Sequence, residues 1–375
     1  MDDGTPGFVR DLARALSEHL DTLVVVPRVP GSSAQDREGR LLVRRFRYFP
    51  GRWEDLAHGA ILENLRARPS RWWQVLPFVA AEAVALRRAV RHARPDVIHA
   101  HWIIPQGLVA SVVAPRTPRV VTTLGGDLYA LDSAPMRAVK SWVLRRAAAV
   151  TVMNRQMRDT VVALGAAPER VHVIPMGMDL AAIEAAPARA DKPGRPTSVL
   201  FVGRLVEKKG LAVLLDALRL LPTPPGLTVV GDGPLRPTLE KAAEGLEVRF
   251  RGQLGRSDLI AAYRQADVVV FPSVTAASGD QDGLPVALLE AMASECAIVA
   301  SALPGIDEAL TEGSGVLVPP GDRDALAEAL SALLADPDRR REFGTAARRR
   351  ASAYSVEAIS ARYLDVLTRV PGGAS

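Results

Sequence analysis

The stretch that decides the fold is Val199–Gly210, VLFVGRLVEKKG, in the second half of the chain. Its residues Val199–Val202 have the length and the apolar composition of a buried strand. Gly203 ends this strand without a side chain, so a ligand is able to approach the backbone there. Arg204 and Lys209 follow, one with a planar fork of N–H groups and the other with a compact charge. Together they have the chemistry to neutralise a diphosphate.

The same alternation of strand and helix extends along the chain and predicts an α/β protein with parallel sheets covered on both faces. The predicted strands are Thr22–Val26, Val97–Ala100, Val120–Thr123, Val150–Met153, Val199–Val202, Thr228–Val230, Val268–Phe271 and Ala297–Ala300. Predicted helices include Val9–His19, Leu211–Leu221 and Asp324–Ala335. A length of 375 residues fits two such domains. The segment Ala181–Thr197, rich in Ala and Pro, is the predicted boundary.

Composition limits the classes of function. No run of about eighteen uncharged apolar residues occurs, which excludes a membrane span of that kind. Cys296 is the only cysteine, so an intrachain disulfide is impossible and a reducing, cytoplasmic location is predicted. The net charge of +5 is concentrated in arginine groups within the first hundred residues. Such groups suit nucleic acid, an anionic membrane or solvent alone; we expect no nucleic-acid partner, because no binding module accompanies them.

A second group of residues supports a phosphate site. Asp280-Gln281-Asp282-Gly283-Leu284-Pro285 precedes a predicted helix, Val286–Ser294, with Pro285 placed at the first helical position. The free N–H groups at such a helix start bind anions. Asp282 and Glu290, eight positions apart, are able to accept hydrogen bonds from sugar or ribose hydroxyls. Both groups follow parallel strands, at the sheet edge where α/β proteins bind ligands.

The run Val199–Gly321 resembles the donor domain of family-four retaining glycosyltransferases, which have the GT-B fold. The similar stretches are VLFVGRLVEKKG, LTVVGDGPLR, DVVVFPS, DGLPVALLEAMA and GVLVPPGD, and in the first half HAHWIIPQG, TTLGGDLYAL and PERVHVIPMGMDL. The resemblance implies two Rossmann-like domains that face each other across a cleft. Residues 1–185 would form the acceptor-side domain and 195–355 the donor domain, with the helix in 356–375 crossing back to the first.

The resemblance also implies roles for individual residues. Arg204 and Lys209 would hold the donor diphosphate, and Glu290 the ribose. Asp282 with the amides of Gly283 and Leu284 would hold the sugar, and the base would lie near Gln253 and Leu254. Other residues expected at the site are Asp127 as a further catalytic group and, on the acceptor side, Gly7, His101, Trp102 and Leu124.

Four positions depart from the family pattern. Many relatives have His where this chain has Leu124, and Leu is unable to donate a hydrogen bond to the sugar. Asp282 stands where Glu is usual, Asn154 where Ser is usual, and Cys296 where Gly is usual. Leu124, Asp282 and the absence of a strand ahead of the first helix keep open a non-catalytic relative that binds a nucleotide sugar without turning it over.

The activity that the resemblance implies is transfer of a hexosyl group from a UDP- or GDP-linked sugar to an acceptor hydroxyl, with retention, in polysaccharide or glycolipid assembly. Arg204 and Lys209 would stabilise the charge that grows on the leaving diphosphate. A phosphorylase of similar fold is the enzymatic alternative, and no pyridoxal-phosphate lysine environment supports it.

We expect no metal ion and no other cofactor, because Arg204 and Lys209 supply the positive charge. Asp280-Gln281-Asp282 has the Asp-x-Asp spacing of metal-binding glycosyltransferases. Asp322–Asp324 and Asp336–Asp338 share that spacing, and we interpret both as caps of helices. Gly231-Asp232-Gly233 lacks the third glycine of a dinucleotide fingerprint, so we interpret it as a turn near the base.

Two features of the first half remain. His99 and His101 alternate along a strand and are expected on one face, and Trp72 and Trp73 lie among arginines in Arg66–Phe78. We expect the tryptophans to be buried under a helix; the alternative is peripheral contact with the anionic inner face of the cell membrane.

The first recognisable element is a helix near Phe8, although the first strand of a doubly wound sheet is central. We expect either a gap in the N-terminal sheet or neighbouring strands paired directly beside the Gly4–Gly7 loop. We also expect about fifteen to twenty residues ahead of Met1, because loops in such units are short.

Overall fold

The computed structural model of the chain describes residues 7–57, 61, 64–65, 68–129, 132–186, 197–277, 279–311 and 313–370. The chain divides into two compact units. The first unit comprises Met1–Val152, Arg158–Ile174 and Ile359–Ser375. The second unit comprises Met153–Met157 and Pro175–Ala358.

The described strands of the first unit form two separate sheets. Its strands are β1 (Thr22–Pro27), β2 (Gln35–Glu38), β3 (Leu41–Phe46), β4 (Ile98–His101), β5 (Arg119–Thr122), β6 (Ala149–Val152) and β7 (Val171–Val173). One sheet has the order β1-β3-β2, and the other has the order β4-β5-β6-β7. All pairs are parallel except β2 with β3. Among the described residues, no pairing joins β1 to β4.

Helices cover these sheets. They are α1 (Gly7–Ser17), α2 (Val75–Ala93), α3 (Leu108–Val113), α4 (Gly126–Tyr129), α5 (Ala134–Arg145) and α6 (Arg155–Ala163). Leu12 and Leu16 of α1 pack in one core with Val120 of β5 and Tyr363. Tyr363 belongs to the last helix of the chain, which therefore returns to complete the core of the first unit.

The described strands of the second unit form one six-stranded sheet. Its strands are β8 (Ser198–Val202), β9 (Gly226–Val230), β10 (Val248–Phe250), β11 (Val268–Phe271), β12 (Ala297–Ser301) and β13 (Val316–Val318). They are all parallel, in the order β10-β9-β8-β11-β12-β13. Along the chain, β9 and β10 are added on one side of β8, and β11, β12 and β13 are then added on its other side. The order reverses between β8 and β11, which is where open α/β sheets form a ligand crevice.

The remaining helices are α7 (Leu180–Glu184), α8 (Leu211–Arg219), α9 (Arg236–Ala242), α10 (Arg256–Gln265), α11 (Val286–Ala293), α12 (Ile306–Ala309), α13 (Arg323–Ala335), α14 (Pro337–Ala351) and α15 (Val356–Arg369). Side chains of β8 alternate between two apolar cores. Val199 and Phe201 point into one, and Leu200 and Val202 into the other. Burial on both faces explains why this strand is continuously apolar.

The change from the first unit to the second lies at Ile174–Pro175, ahead of the Ala181–Thr197 segment that composition indicates. Part of that segment is helical, because Asp179 caps α7 by accepting a hydrogen bond from Ala182 N at 3.0 Å. Ile183 of α7 is buried in the core of the second unit. The part of the segment between 187 and 196 lies outside the described residues.

A buried carboxyl in α2 generates a pH-dependent prediction. Glu82 lies on the buried face of this helix, its Oε2 meets no hydrogen-bond donor among the described residues, and burial raises its pKa from 4.5 to about 8. The folded state therefore favours the neutral acid, and the free energy of unfolding falls as the pH rises from about 4.5 to about 8, because the unfolded chain ionises first. Glu82→Gln should remove this loss.

Between pH 5 and pH 8, we expect the free energy of unfolding of Glu82→Gln to rise by at least about 1 kcal/mol relative to that of the parent chain, measured by denaturant melts. Glu328→Gln, at an exposed position, serves as the control and should follow the parent at both pH values. An equal response of the parent and of Glu82→Gln to pH would show that Glu82 is ionised in the folded chain.

Candidate active site

The loops at the carboxyl ends of β8, β9 and β11 pack backbone against backbone. Gly210 has φ +67°, and a Cβ there would lie 1.8 Å from the carbonyl oxygen of Pro272. Gly231 has φ +125°, and a Cβ there would lie 2.0 Å from the carbonyl oxygen of Gly203. Both positions need glycine for conformation as well as for space. The loop that carries Arg204 and Lys209 is thereby fixed at the reversal of the strand order.

The structure brings the predicted residues Lys209 and Asp282 together. Lys209 Nζ lies 2.8 Å from Asp282 Oδ2, which also accepts a hydrogen bond from Ser273 Oγ at 3.0 Å. Lys208 Nζ lies 3.1 Å from Asp280 Oδ2. Asp282 is buried, so its pairing with Lys209 is shielded from solvent more than a surface ion pair is. Both carboxylates of the Asp-x-Asp sequence are bound to ammonium groups.

The helix that follows starts without a side-chain cap. Pro285, which the sequence predicts at the first helical position, is instead the N-cap residue of α11. Among the described residues, no side chain caps this end. Helix ends are commonly displaced by one residue in this way. The first N–H groups of an α-helix have no partner within the helix. This end of α11, directly after Gly283 and Leu284, has the chemistry of an anion site.

Asn154 holds the turn ahead of α11, a role that the sequence does not reveal. Its Nδ2 donates to the carbonyl oxygens of Gly283 at 3.3 Å and Pro304 at 3.0 Å. Its Oδ1 accepts from Met157 N at 2.8 Å and so caps α6. Asn before a helix predicts such a cap, but the bond to Gly283 joins residues 129 apart. Gly305, at φ +95°, completes the turn, since a Cβ there would lie 1.8 Å from Gly283 O.

Glu290 lies in the second turn of α11 and contacts a residue that the sequence analysis did not select. Tyr263 Oη lies 3.2 Å from Glu290 Oε2 and 3.1 Å from the carbonyl oxygen of Ala287. Burial raises the pKa of Glu290, and the Tyr263 hydroxyl and the charge of Arg256 oppose that rise. A neighbouring aromatic hydroxyl therefore favours the carboxylate form of Glu290.

The other predicted donor-side residues lie at the same sheet edge. Arg204 is exposed after β8, and Gly203 N donates to Val230 O at 3.0 Å. Gly231 N donates to Gly252 O at 2.8 Å, which places the exposed Gln253 and the half-buried Leu254 beside the end of β9.

In the first unit, Asp127 connects two loops. Its carboxylate is buried and accepts hydrogen bonds from Ile103 N at 2.7 Å, Thr123 Oγ1 at 2.8 Å and Leu124 N at 3.2 Å. Burial raises the pKa of Asp127, and these hydrogen bonds oppose the rise. With three donors on its oxygens, Asp127 positions the turn at Leu124; a catalytic role for it stays a prediction.

The two histidines lie on one face of β4, as predicted. Their ring centroids are 4.3 Å apart, and His99 Nε2 lies 2.7 Å from Thr122 Oγ1. Burial lowers the pKa of His101 to about 4, so this imidazole is neutral at pH 7. Trp102 follows at φ +75°, a left-handed conformation that is unusual for a bulky residue. Gly7 is exposed at the start of α1.

Among the described residues, no group of three His, Cys, Asp or Glu side chains is arranged to hold a metal ion. Two of the Asp-x-Asp sequences cap helices as predicted: Asp322 accepts from Asp324 N and Ala325 N, and Asp336 accepts from Arg339 N. Metal independence stays a prediction.

Within the described ranges, no helix combines the length and the apolar character needed to cross a membrane.

Comparison with known proteins identifies the family. Residues 4–177 match the model for a glycosyl transferase 4-like domain, and residues 182–350 match the model for glycosyl transferases group 1. The phosphatidyl-myo-inositol mannosyltransferase of Mycobacterium leprae is 32% identical over 317 residues, which cover 80% of each chain. The chain belongs to this glycosyltransferase family. Polysaccharide glycosyltransferases and glycogen synthases also match, and the chain spans 43% to 65% of their length.

Two solved structures share the fold of this glycosyltransferase. Sucrose-phosphate synthase from Thermosynechococcus elongatus has a TM-score of 0.78 at 24% identity, covering 96% of this chain and 92% of its own. Anabaena HepE, solved in complex with UDP and glucose, has a TM-score of 0.70 at 20% identity, and the match covers 97% of this chain and 96% of HepE. The predicted GT-B fold is confirmed.

The Asn154 contacts generate a prediction that separates its two roles. Asn154→Ala removes the cap of α6 and the donor to two half-buried carbonyl oxygens, and each lost hydrogen bond costs about 0.5–1.5 kcal/mol. Asn154→Asp keeps an oxygen for Met157 N but puts a carboxylate against the carbonyls of Gly283 and Pro304. We expect both variants to bind nucleoside diphosphates at least tenfold more weakly, measured by calorimetry. Wild-type affinity in Asn154→Asp would show that the bond to Gly283 does not shape the site.

Proposed function

We propose that this glycosyltransferase moves a hexosyl group from a UDP- or GDP-linked sugar to an acceptor hydroxyl, with retained configuration. The observation that carries the proposal is the pairing of Lys209 with Asp282 at the reversal of the strand order, beside the uncapped start of α11. A cation and a helix start together provide a site for a diphosphate.

The ion pair also suggests how the site receives its donor. Lys209 is held by the carboxylate of Asp282, and an arriving diphosphate offers Lys209 a stronger anionic partner. Asp282 is then released to accept hydrogen bonds from the sugar hydroxyls. Glu290 accepts hydrogen bonds from the ribose, supported by Tyr263. Arg204, exposed at the end of β8, adds a second cation to the diphosphate.

In the transfer, the bond between the anomeric carbon and the diphosphate oxygen breaks, and the acceptor oxygen attacks from the same face. The acceptor proton passes to an oxygen of the leaving diphosphate. Lys209, Arg204 and the N–H groups of α11 stabilise the negative charge on that diphosphate, which is electrostatic catalysis by preorganised groups. The acceptor would be bound by the first unit, at His101, Trp102 and the turn at Leu124.

Relatives support a setting in polysaccharide or glycolipid assembly. The matched proteins include polysaccharide glycosyltransferases and a phosphatidyl-myo-inositol mannosyltransferase, and HepE was solved with UDP and glucose. We place the protein in the cytoplasm, because its single cysteine suits a reducing compartment. The partners of the proposed activity are therefore a nucleotide sugar and a glycan or lipid-linked acceptor.

The proposal is tested by measuring nucleoside diphosphate release from UDP- and GDP-sugars with a panel of glycan and lipid acceptors. Acceptor-dependent release is expected. Tight donor binding without release on any acceptor would favour a non-catalytic binding protein, for which Leu124 in place of His provides the reason.

Neighbouring lysines provide a matched pair of variants for the donor site. We expect Lys209→Ala to weaken UDP or GDP binding at least tenfold, which corresponds to about 1.4 kcal/mol. Lys208→Ala, which removes the same charge one position earlier, should weaken nucleotide binding less, since Lys208 pairs mainly with Asp280. Equal losses in both variants would indicate a diffuse electrostatic effect.

Metal independence is tested with a chelator. We expect EDTA to leave nucleotide affinity unchanged, because Asp280 and Asp282 are already paired with lysines. A tenfold loss of affinity that Mg²⁺ or Mn²⁺ restores would identify Asp280 and Asp282 as metal ligands.

A further inference from the structure

An unusual apolar surface lies on the first unit, at residues that carry none of the site roles assigned above. Trp73 is 82% exposed, Trp72 57% and Trp53 53%, so three of the five tryptophans of the chain face solvent. The prediction that Trp72 and Trp73 are buried is therefore wrong. Leu76, at the start of α2, is 80% exposed. Large apolar side chains clustered on a surface usually mark an interaction site.

The surface continues along α2 as a stripe. Leu76, Ala80 and Val84 are exposed at four-residue spacing, and Arg87 and Arg91 continue the same face. The opposite face, with Phe78 and Ala89, is buried. Trp73 precedes Leu76 by three residues, in the 3₁₀ turn Pro69–Gln74 that leads into α2. The stripe, Trp73 to Arg91, is thus apolar in its first half and cationic in its second.

The tryptophans are carried by a fixed framework. Asp55 accepts hydrogen bonds from Arg71 Nη2 at 2.7 Å and Gln74 Nε2 at 2.8 Å. Gln74 Oε1 accepts in turn from Leu56 N at 3.2 Å. These bonds join the segment after Trp53 to the turn that carries Trp72 and Trp73. The turn that carries Trp72 and Trp73 is therefore held in place by hydrogen bonds on its inner side.

The charge of this surface selects among possible occupants. Residues 68–94 contain six arginines and a single acidic residue, Glu82, which is buried. A second copy of the stripe would offer these arginines no acidic side chain, because Glu82 is buried. A nucleic acid would satisfy the arginines and leave Leu76 and Val84 exposed. An anionic bilayer satisfies both halves of the stripe.

We propose that the first unit binds the surface of an anionic phospholipid membrane through the Trp73–Arg91 stripe. Trp73 and Leu76 enter the boundary between headgroups and acyl chains, where indole rings and aliphatic side chains are favoured. Arg87, Arg88 and Arg91 bind lipid phosphates, and their aliphatic stems lie along the apolar surface. This proposal is independent of the proposed transfer reaction.

The test is co-sedimentation of the full chain with vesicles of phosphatidylcholine alone or with roughly one third phosphatidylglycerol. Binding is expected only with the anionic lipid and should weaken as salt rises from about 0.05 M to about 0.5 M. Trp73→Ala combined with Leu76→Ala should reduce binding at least tenfold. Arg87→Gln combined with Arg91→Gln should reduce both the binding and its salt dependence.

Control variants lie off the stripe. Val112→Ala changes an exposed apolar residue of the same unit, and Arg349→Gln removes an exposed arginine of the second unit; both should bind vesicles like the parent. No binding at low salt, or equal binding by the Trp73 and Leu76 variant, would overturn the proposal. Concentration-dependent dimerisation that this variant abolishes, without vesicle binding, would assign the stripe to a second copy instead.

Discussion

The donor site depends on a few glycines at which any side chain would collide with a neighbouring loop. A methyl group at Gly210 or Gly305 would fall within 1.8 Å of a carbonyl oxygen in a neighbouring loop. Because these loops approach so closely, Lys209 meets Asp282, and the turn at Gly283 lies directly ahead of α11. The chemistry of the site thus follows from backbone packing at the edge of a parallel sheet, where the strand order reverses between β8 and β11.

Much of the second unit is predictable because local signals agree there. The strands β8, β11 and β12 are apolar on both faces, and their bounds match the predictions to within one residue. Lys209 and Asp282 follow two strands whose carboxyl ends meet at one edge, so their proximity also follows from the sequence. The Gly283 contact of Asn154 and the Tyr263 contact of Glu290 do not, because each joins distant parts of the chain through tertiary packing.

The first unit is less predictable, for two physical reasons. β2 has the sequence QDRE and pairs antiparallel at a sheet edge, so it carries no apolar signal, and β7 is only three residues long. Amphipathic sequence also leaves open which face meets the core. Trp72 and Trp73 have the composition of core residues, yet Phe78 and Ala89 supply the buried face of the helix that follows. Tertiary packing decides which of these apolar side chains are exposed, and the local sequence does not specify that packing.

The proposed activity depends on binding of the donor diphosphate at the loops after β8 and β11. Hydrogen–deuterium exchange of the full chain, with and without UDP, GDP or ADP, tests this most directly. We predict that the nucleotide that binds slows exchange in residues 203–210 and 282–289 and leaves 98–129 unchanged. Protection confined to 98–129, or bound nucleotide without protection at either loop, would contradict the assignment of the donor site to the second unit.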